Sequence, residues 1–227
     1  MKFTSVHLKI LLICTTILLV ASLIYYTRTK EPERPPMTVQ EKKSHFKALI
    51  VPAVNDAYLE LMAQYQAVEK SIKSGKEKGK IEQLKRDYKV TSDAELLMAL
   101  KPHPRSIAIA QAAMESAWAT SRFFTQANNV FGVWSFDEDE PRIAALQKRG
   151  NKTIWVKKYP SVKASIMDYY RTLGRGDAYK AFRKLKMETN DPHLLVKKLD
   201  SYSEKGAEYG RELTAIINYN KFYQYDH

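Results

Sequence analysis

The stretch Ser106–Arg122, SIAIAQAAMESAWATSR, constrains this chain more than any other. Ile107, Ala108, Ile109, Ala110, Ala112, Ala113, Met114, Ala117 and Trp118 leave it almost no polar face. A helix that is apolar all round is a buried one, so the rest of the chain must supply its coat. Pro104 fits a first-turn position, where its missing N–H costs nothing. The pattern places one carboxylate, Glu115, deep inside this helix. Ala108, Gln111, Ala112 and Glu115 follow the i, i+3, i+4, i+7 rule and share one face. That face is mostly alanine, so a ligand or a neighbouring backbone can come close. No lysine or arginine stands one turn from Glu115. Desolvation favours the protonated carboxyl, and a protonated carboxyl near neutral pH is what a general acid requires. The plainer alternative, for Glu115 taken alone, is a helix residue that reaches an edge or a partner from elsewhere.

One short loop later come Asn128, Asn129, Phe131 and Gly132 (NNVFG), then Val133 and Trp134. Paired amides, a glycine and aromatic rings are the groups a sugar-binding cleft uses. The amides bond hydroxyl and acetamido groups, and the rings stack on sugar faces.

The run AQAAMESAWATSRFF…NNVFG resembles the glucosaminidase domain of bacterial cell-wall hydrolases, the endo-β-N-acetylglucosaminidase family. His45–Tyr65 (HFKALIVPAVNDAYLELMAQY), Tyr202–Tyr209 (YSEKGAEY) and Ile216-Ile217-Asn218 are similar to a subgroup, the bacterial Bax-type proteins. The resemblance covers roughly residues 40–225. It implies a mainly α-helical, lysozyme-like fold with a small β-lobe, a peptidoglycan glycan strand as substrate, and Glu115 as the catalytic acid. It also implies a second group for the nucleophilic water, often an acid of the β-lobe. Glu138, Asp139 and Glu140 are the candidates, against the alternative of a solvated charge run. Tyr209 aligns with a tyrosine that lines the cleft opposite the catalytic Glu; its phenol would orient a water or the acetamido carbonyl, against the alternative of a packing tyrosine. Candidate substrate-binding residues are Gln111, Asn128, Asn129, Phe131, Gly132 and Trp134. Trp118 reads as helix packing and Tyr202 as structural.

The 227 residues allow one domain with appendages. Ile10–Tyr26 carries no charge. At about 17 residues it lies at the short end of a membrane span. Tyr25 and Tyr26 fit an interfacial belt. A cleaved signal peptide is the rival, but no small-x-small site closes the apolar run. Residues 1–27 are therefore expected to be a transmembrane anchor and 28–38 a proline-rich linker. Residues 39–101 follow as a helical N-terminal extension and 102–227 as the glucosaminidase domain. This organisation places a single-pass protein in the inner membrane with its catalytic domain in the cell envelope. Cys14 is the only cysteine, which excludes an internal disulfide.

Within the domain the spacing predicts one helix over Val39–Ser74, which Pro52 kinks or starts. Short helices follow at Ile81–Tyr88 and at Asp93–Leu100, the second capped by Ser92. His103 reads as a loop residue. Ser135–Asn151 reads as irregular and Thr153–Tyr159 as a strand. Tyr159-Pro160-Ser161 resembles the family's helix start, with Ser161 as N-cap for Ser165–Leu173. Ala178–Leu185, His193–Leu199 and Glu204–Asn220 complete a helical C-terminal half.

The net charge of +12 suits a polyanionic partner. No basic cluster with interleaved aromatics and no zinc-finger set points to nucleic acid. HExxH, GxSxG and phosphate-loop motifs are absent, and no metal or cofactor is inferred. Three readings remain: a peptidoglycan hydrolase cutting the β-1,4 bond after N-acetylglucosamine, a lytic transglycosylase-like lyase, and a non-catalytic module binding wall glycan or an envelope partner.

Overall fold

The computed structural model describes residues 15, 18–20, 22, 37–150 and 152–227. Most of the expected anchor and linker lies outside these residues. Among the described residues no helix is long and apolar enough to cross a membrane. Val39–His227 forms one unit, in which the helices before residue 101 join those after it.

The first helix, α1, spans Val39–Ser74. Its buried residues Phe46, Ile50, Val54, Ala57 and Leu61 recur at three and four, which makes one apolar stripe. Pro52 lies well inside α1 on an exposed position and neither starts nor ends it. Helices α2 (Lys78–Tyr88) and α3 (Asp93–Leu100) close a small core of Val68, Ile81, Tyr88, Leu96, Ala99 and Leu100. Ser92 caps α3 as expected. Its Oγ accepts from Glu95 N at 3.2 Å, and the Glu95 carboxylate accepts from Ser92 N at 3.2 Å.

The central helix α4 is Arg105–Glu115, and every residue from Ser106 to Ala113 is buried. It ends sooner than the sequence suggests. Ala117, Trp118 and Ala119 are left-handed, with φ of +51°, +60° and +63°. Each such non-glycine residue costs about 1–2 kcal/mol. The turn is stapled by Ser116, whose Oγ donates to Ala112 O at 2.5 Å and accepts from Ala119 N at 2.8 Å. Trp118 then packs edge-on against Phe46, ring centroids 5.2 Å apart. Burial of that ring, with the staple, holds the turn against its strain. Glu115 is therefore the last residue of α4, not a mid-helix one. Pro104 is the N-cap residue rather than a first-turn one. The cap hydrogen bonds come from Asp226, which accepts from Ser106 N at 2.8 Å and Ser106 Oγ at 2.6 Å.

After α5 (Arg122–Ala127), strands β1 (Arg142–Arg149) and β2 (Lys152–Lys157) form an antiparallel hairpin. Arg142 faces Lys157 and Ile143 faces Val156, with a register slip between Ala144 and Lys148. The expected strand at Thr153–Tyr159 is there, two residues shorter at its end. Its partner falls inside the segment expected to be irregular. The slip breaks the alternation that would have marked β1 as a strand.

Helices α6 (Val162–Arg175), α7 (Lys180–Glu188), α8 (Pro192–Leu195) and α9 (Ala207–Tyr219) follow. Ser161 caps α6 through Ala164 N at 3.1 Å. The expected helix His193–Leu199 is split into α8 and a tight 3₁₀ turn at Val196–Lys198. Gly210 lets α9 lie on that turn, since a Cβ there would come within 2.8 Å of Val196 O. Helices α1, α6 and α9 coat α4 in one core that includes Ile107, Ile109, Ile166, Leu173, Leu213 and Ile217.

Candidate active site

The end of α4 leaves the Glu115 carboxyl at the negative end of the helix dipole, where an anion is disfavoured. Burial adds to this and is the largest cause raising its pKa above the ordinary carboxylate value. Glu212 also raises it, while the Tyr209 hydroxyl and the Lys205 ammonium pull it down. Lys205 is itself held by both Glu212 oxygens, at 2.7 and 2.8 Å. Its charge is thus largely balanced next to the acid.

Tyr209 stands on the first turns of α9 and is buried. Its hydroxyl donates to Glu115 Oε1 at 2.8 Å and accepts from Gln111 Nε2 at 2.9 Å. The equal spacing of Gln111 and Glu115 on one face of α4 makes both contacts possible. Burial, then the Glu115 charge, push the Tyr209 phenol far above its ordinary range, so it acts as a neutral donor. Tyr202 stacks on it at a centroid distance of 5.4 Å. The chain of contacts continues inward. The Tyr169 hydroxyl on α6 bonds Gln111 Oε1, and it lies 3.1 Å from His103 Nε2. His103 is a loop residue as expected, yet it is fully buried, and burial lowers its pKa to about 3.

The NNVFG segment is a structural junction. Asn128 caps α5 in the left-handed region and donates to Tyr159 O at 3.0 Å. Asn129 is buried; its amide nitrogen reaches Val133 O at 3.0 Å and Lys157 O at 2.9 Å, and its oxygen accepts from Val133 N at 3.0 Å. Both amides are occupied by backbone, which ties α5 to the hairpin. Phe131 is buried and stacks on Tyr169 at 3.9 Å, so its ring fills the core. Gly132 takes φ +66°, the conformation glycine adopts without penalty. Trp134 differs from the others: it is 42% exposed beside the 85% exposed Phe136, with centroids 6.2 Å apart. These two rings offer the open aromatic surface. Trp118, half-buried, packs against the core.

Of the β-lobe acids, Glu138 and Glu140 are paired with local cations. Glu138 meets Arg142 at 3.5 Å with most of its side chain in solvent. Glu140 meets Lys157 at 3.2 Å, and Lys157 also reaches Asp168 at 3.8 Å. Lys157 thereby ties the hairpin to α6. Asp139 donates its backbone N–H to Asp137 Oδ1 at 3.0 Å within the loop.

The structure thus brings Glu115, Gln111 and Tyr209 into direct contact, and it sends Asn129 and Phe131 into packing roles. Sequence reasoning missed His103, Tyr169, Lys205 and Glu212 as neighbours of the acid. The only available signal was the opposite charge of Lys205 and Glu212 on either side of Tyr209 in sequence. Among the described residues no set of three His, Cys, Asp or Glu side chains could hold a metal ion.

Residues 91–222 match the glucosaminidase family, described as mannosyl-glycoprotein endo-β-N-acetylglucosaminidase. The chain belongs to this family. Among individual proteins it is similar to Protein bax of Escherichia coli (strain K12), 28% identical over 124 residues that cover 52% of this chain and 43% of that protein. The chain thus spans less than half the length of that relative. The catalytic domain of the autolysin Auto from Listeria monocytogenes is 18% identical with a TM-score of 0.48, over 85% of this chain and 100% of that one. A C-terminally truncated glycoside hydrolase domain of Salmonella typhimurium FlgJ is 22% identical with a TM-score of 0.42, over 61% of this chain and 97% of that one.

Proposed function

We propose that this protein hydrolyses peptidoglycan at the β-1,4 bond after N-acetylglucosamine, with Glu115 as general acid on a lysozyme-like frame. The observation that carries the reading is the half-buried Glu115 carboxyl at the end of α4, bonded by Tyr209, in a chain of the glucosaminidase family. A raised carboxyl pKa keeps a proton available near neutral pH for the leaving sugar oxygen. Tyr209 orients that carboxyl by its hydrogen bond, and Gln111 orients Tyr209. The 2-acetamido carbonyl of the substrate supplies the nucleophile, so a second buried carboxylate is not required. Trp134 and Phe136 give the sugar a face to stack on. The net charge of +12 favours approach to an acidic polymer.

The protein is further proposed to be anchored in the inner membrane by residues 1–27, with 38–227 in the cell envelope, where that polymer lies. Protease added to spheroplasts should then degrade the C-terminal domain, and protection would refute the topology. The activity is tested by incubating the purified chain with cell-wall sacculi. Reducing N-acetylglucosamine ends are expected. Anhydro-sugar ends would establish the lyase reading, and intact glycan with retained binding would establish the non-catalytic one.

A further inference from the structure

The contacts leading inward from Glu115 form one continuous chain: Glu115, Tyr209, Gln111, Tyr169, His103 and the Pro104 carbonyl. Its contacts are 2.8 Å, 2.9 Å, a short Tyr169–Gln111 bond, 3.1 Å and 3.0 Å. Gln111, Tyr169, His103 and Tyr209 are all buried, so no water can make good a missing bond.

The inner end is fixed first. His103 Nδ1 lies 3.0 Å from Pro104 O, which is an acceptor only. A favourable contact there requires the proton on Nδ1. The neutral imidazole has one N–H, so Nε2 must accept, and its neighbour is the Tyr169 hydroxyl. Tyr169 has a single proton. If it goes to His103, it cannot also go to Gln111, and Gln111 must then turn its amide nitrogen toward Tyr169. A half-turn of the amide, which exchanges the Nε2 and Oε1 positions described above and so reverses the direction of those bonds, does this without moving other atoms. The amide oxygen then faces Tyr209 and takes the Tyr209 proton. Tyr209 in turn needs a donor at Glu115, which a protonated carboxyl provides. In this state every contact of the chain is a hydrogen bond. If Glu115 is ionised, Tyr209 must donate to it, and Gln111 presents its oxygen to Tyr169. Tyr169 then has one proton for two acceptors, Gln111 Oε1 and His103 Nε2. One buried contact becomes a meeting of lone pairs.

We infer that His103 and Tyr169 are positioning residues that hold Glu115 in its protonated form, by fixing the direction of this buried hydrogen-bond chain. The inference rests on the reading of Glu115 as the acid. The charged and titratable groups around the two ends are few. Lys205, Glu212 and Tyr202 face Glu115, and Lys186 on α7 and Tyr170 on α6 face His103. Lys186 acts in the same sense as burial, keeping His103 neutral.

The test uses NMR on the full chain and does not depend on turnover. Long-range ¹⁵N spectra should show His103 with its proton on Nδ1, and a proton on Nε2 would overturn the inference. The ¹³C-carboxyl titration of Glu115, assigned with Glu115→Gln, should fall by about one pH unit in Tyr169→Phe and His103→Phe, the worth of one buried hydrogen bond. An unchanged titration in Tyr169→Phe refutes the chain even if His103→Phe fails to fold. Intact sacculi with the expected titrations would sink the proposed activity and leave this inference standing.

Discussion

The two sides of the molecule that carry the sequence motifs handle charge in opposite ways. The helical side buries its polar groups and links them: Glu115, Tyr209, Gln111, Tyr169 and His103 touch in sequence. The hairpin side leaves its acids partly or wholly in solvent and pairs Glu138 and Glu140 with cations of the same lobe. A carboxyl that is half-buried at a helix C-terminus, as Glu115 is, holds its proton longer. This contrast favours the helical wall as the place of the proposed acid. The hairpin contributes exposed rings and a brace.

The strongest way to break this contrast is Glu115→Gln. The variant should fold and lose about 10²–10⁴ in rate, the usual worth of a general acid. Sacculus digestion within about twofold of wild type would move the acid elsewhere. Next in size is Tyr209→Phe, which leaves Glu115 without its hydroxyl partner and Gln111 without its hydrogen bond to Tyr209. A loss of about 10–100-fold in kcat/KM is expected, between a neutral hydrogen bond and the acid itself. A wild-type rate would make Tyr209 a packing residue only.

Lys186 sharpens the same contrast through stability. It is buried on α7, donates to Lys101 O, and burial lowers its pKa to about 7. Its unfolded value is near 10.4. Between these values the unfolded chain holds the extra proton, so stability rises with pH across that window and the penalty is complete below it. Lys186→Met should flatten that slope and stabilise the protein near pH 7 by about 1–2 kcal/mol, since the Lys101 carbonyl also loses its donor. Urea melts at a series of pH values would show this, and a slope unchanged by the substitution would refute it. The smallest effect belongs to the hairpin. Changing Glu138 to Gln, Asp139 to Asn and Glu140 to Gln together should leave activity within about threefold, because exposed ion pairs contribute little. A dead triple variant beside an active Tyr209→Phe would place the second catalytic group in the β-lobe.

Much of this could be read from residue order. The stripe of α1, the Ser92 and Ser161 caps and the buried character of α4 follow from local spacing, because a helix face and a cap are decided within a few residues. The pairing of Gln111 with Glu115 on one face is of the same kind. The end of α4 was not legible. Ala117, Trp118 and Ala119 are left-handed because Ser116 staples the turn and Trp118 finds Phe46, a partner far off in sequence. Strand β1 was hidden by its register slip, which only the partner strand defines.

Chain order alone determined that a carboxylate would sit on a buried, alanine-rich helix near an NNVFG loop, since apolar periodicity leaves that helix no solvent face. Tertiary structure decided what surrounds the carboxylate. Asp226 caps α4 from the far end of the chain, Tyr209 meets Glu115 from α9, and Tyr169 meets Gln111 from α6. It also withdrew Asn129 and Phe131 from the cleft into the junction between the helices and the hairpin. Hydrogen bonds and desolvation act over a few ångströms in space, and residues 58 to 120 positions apart become neighbours only when the core closes.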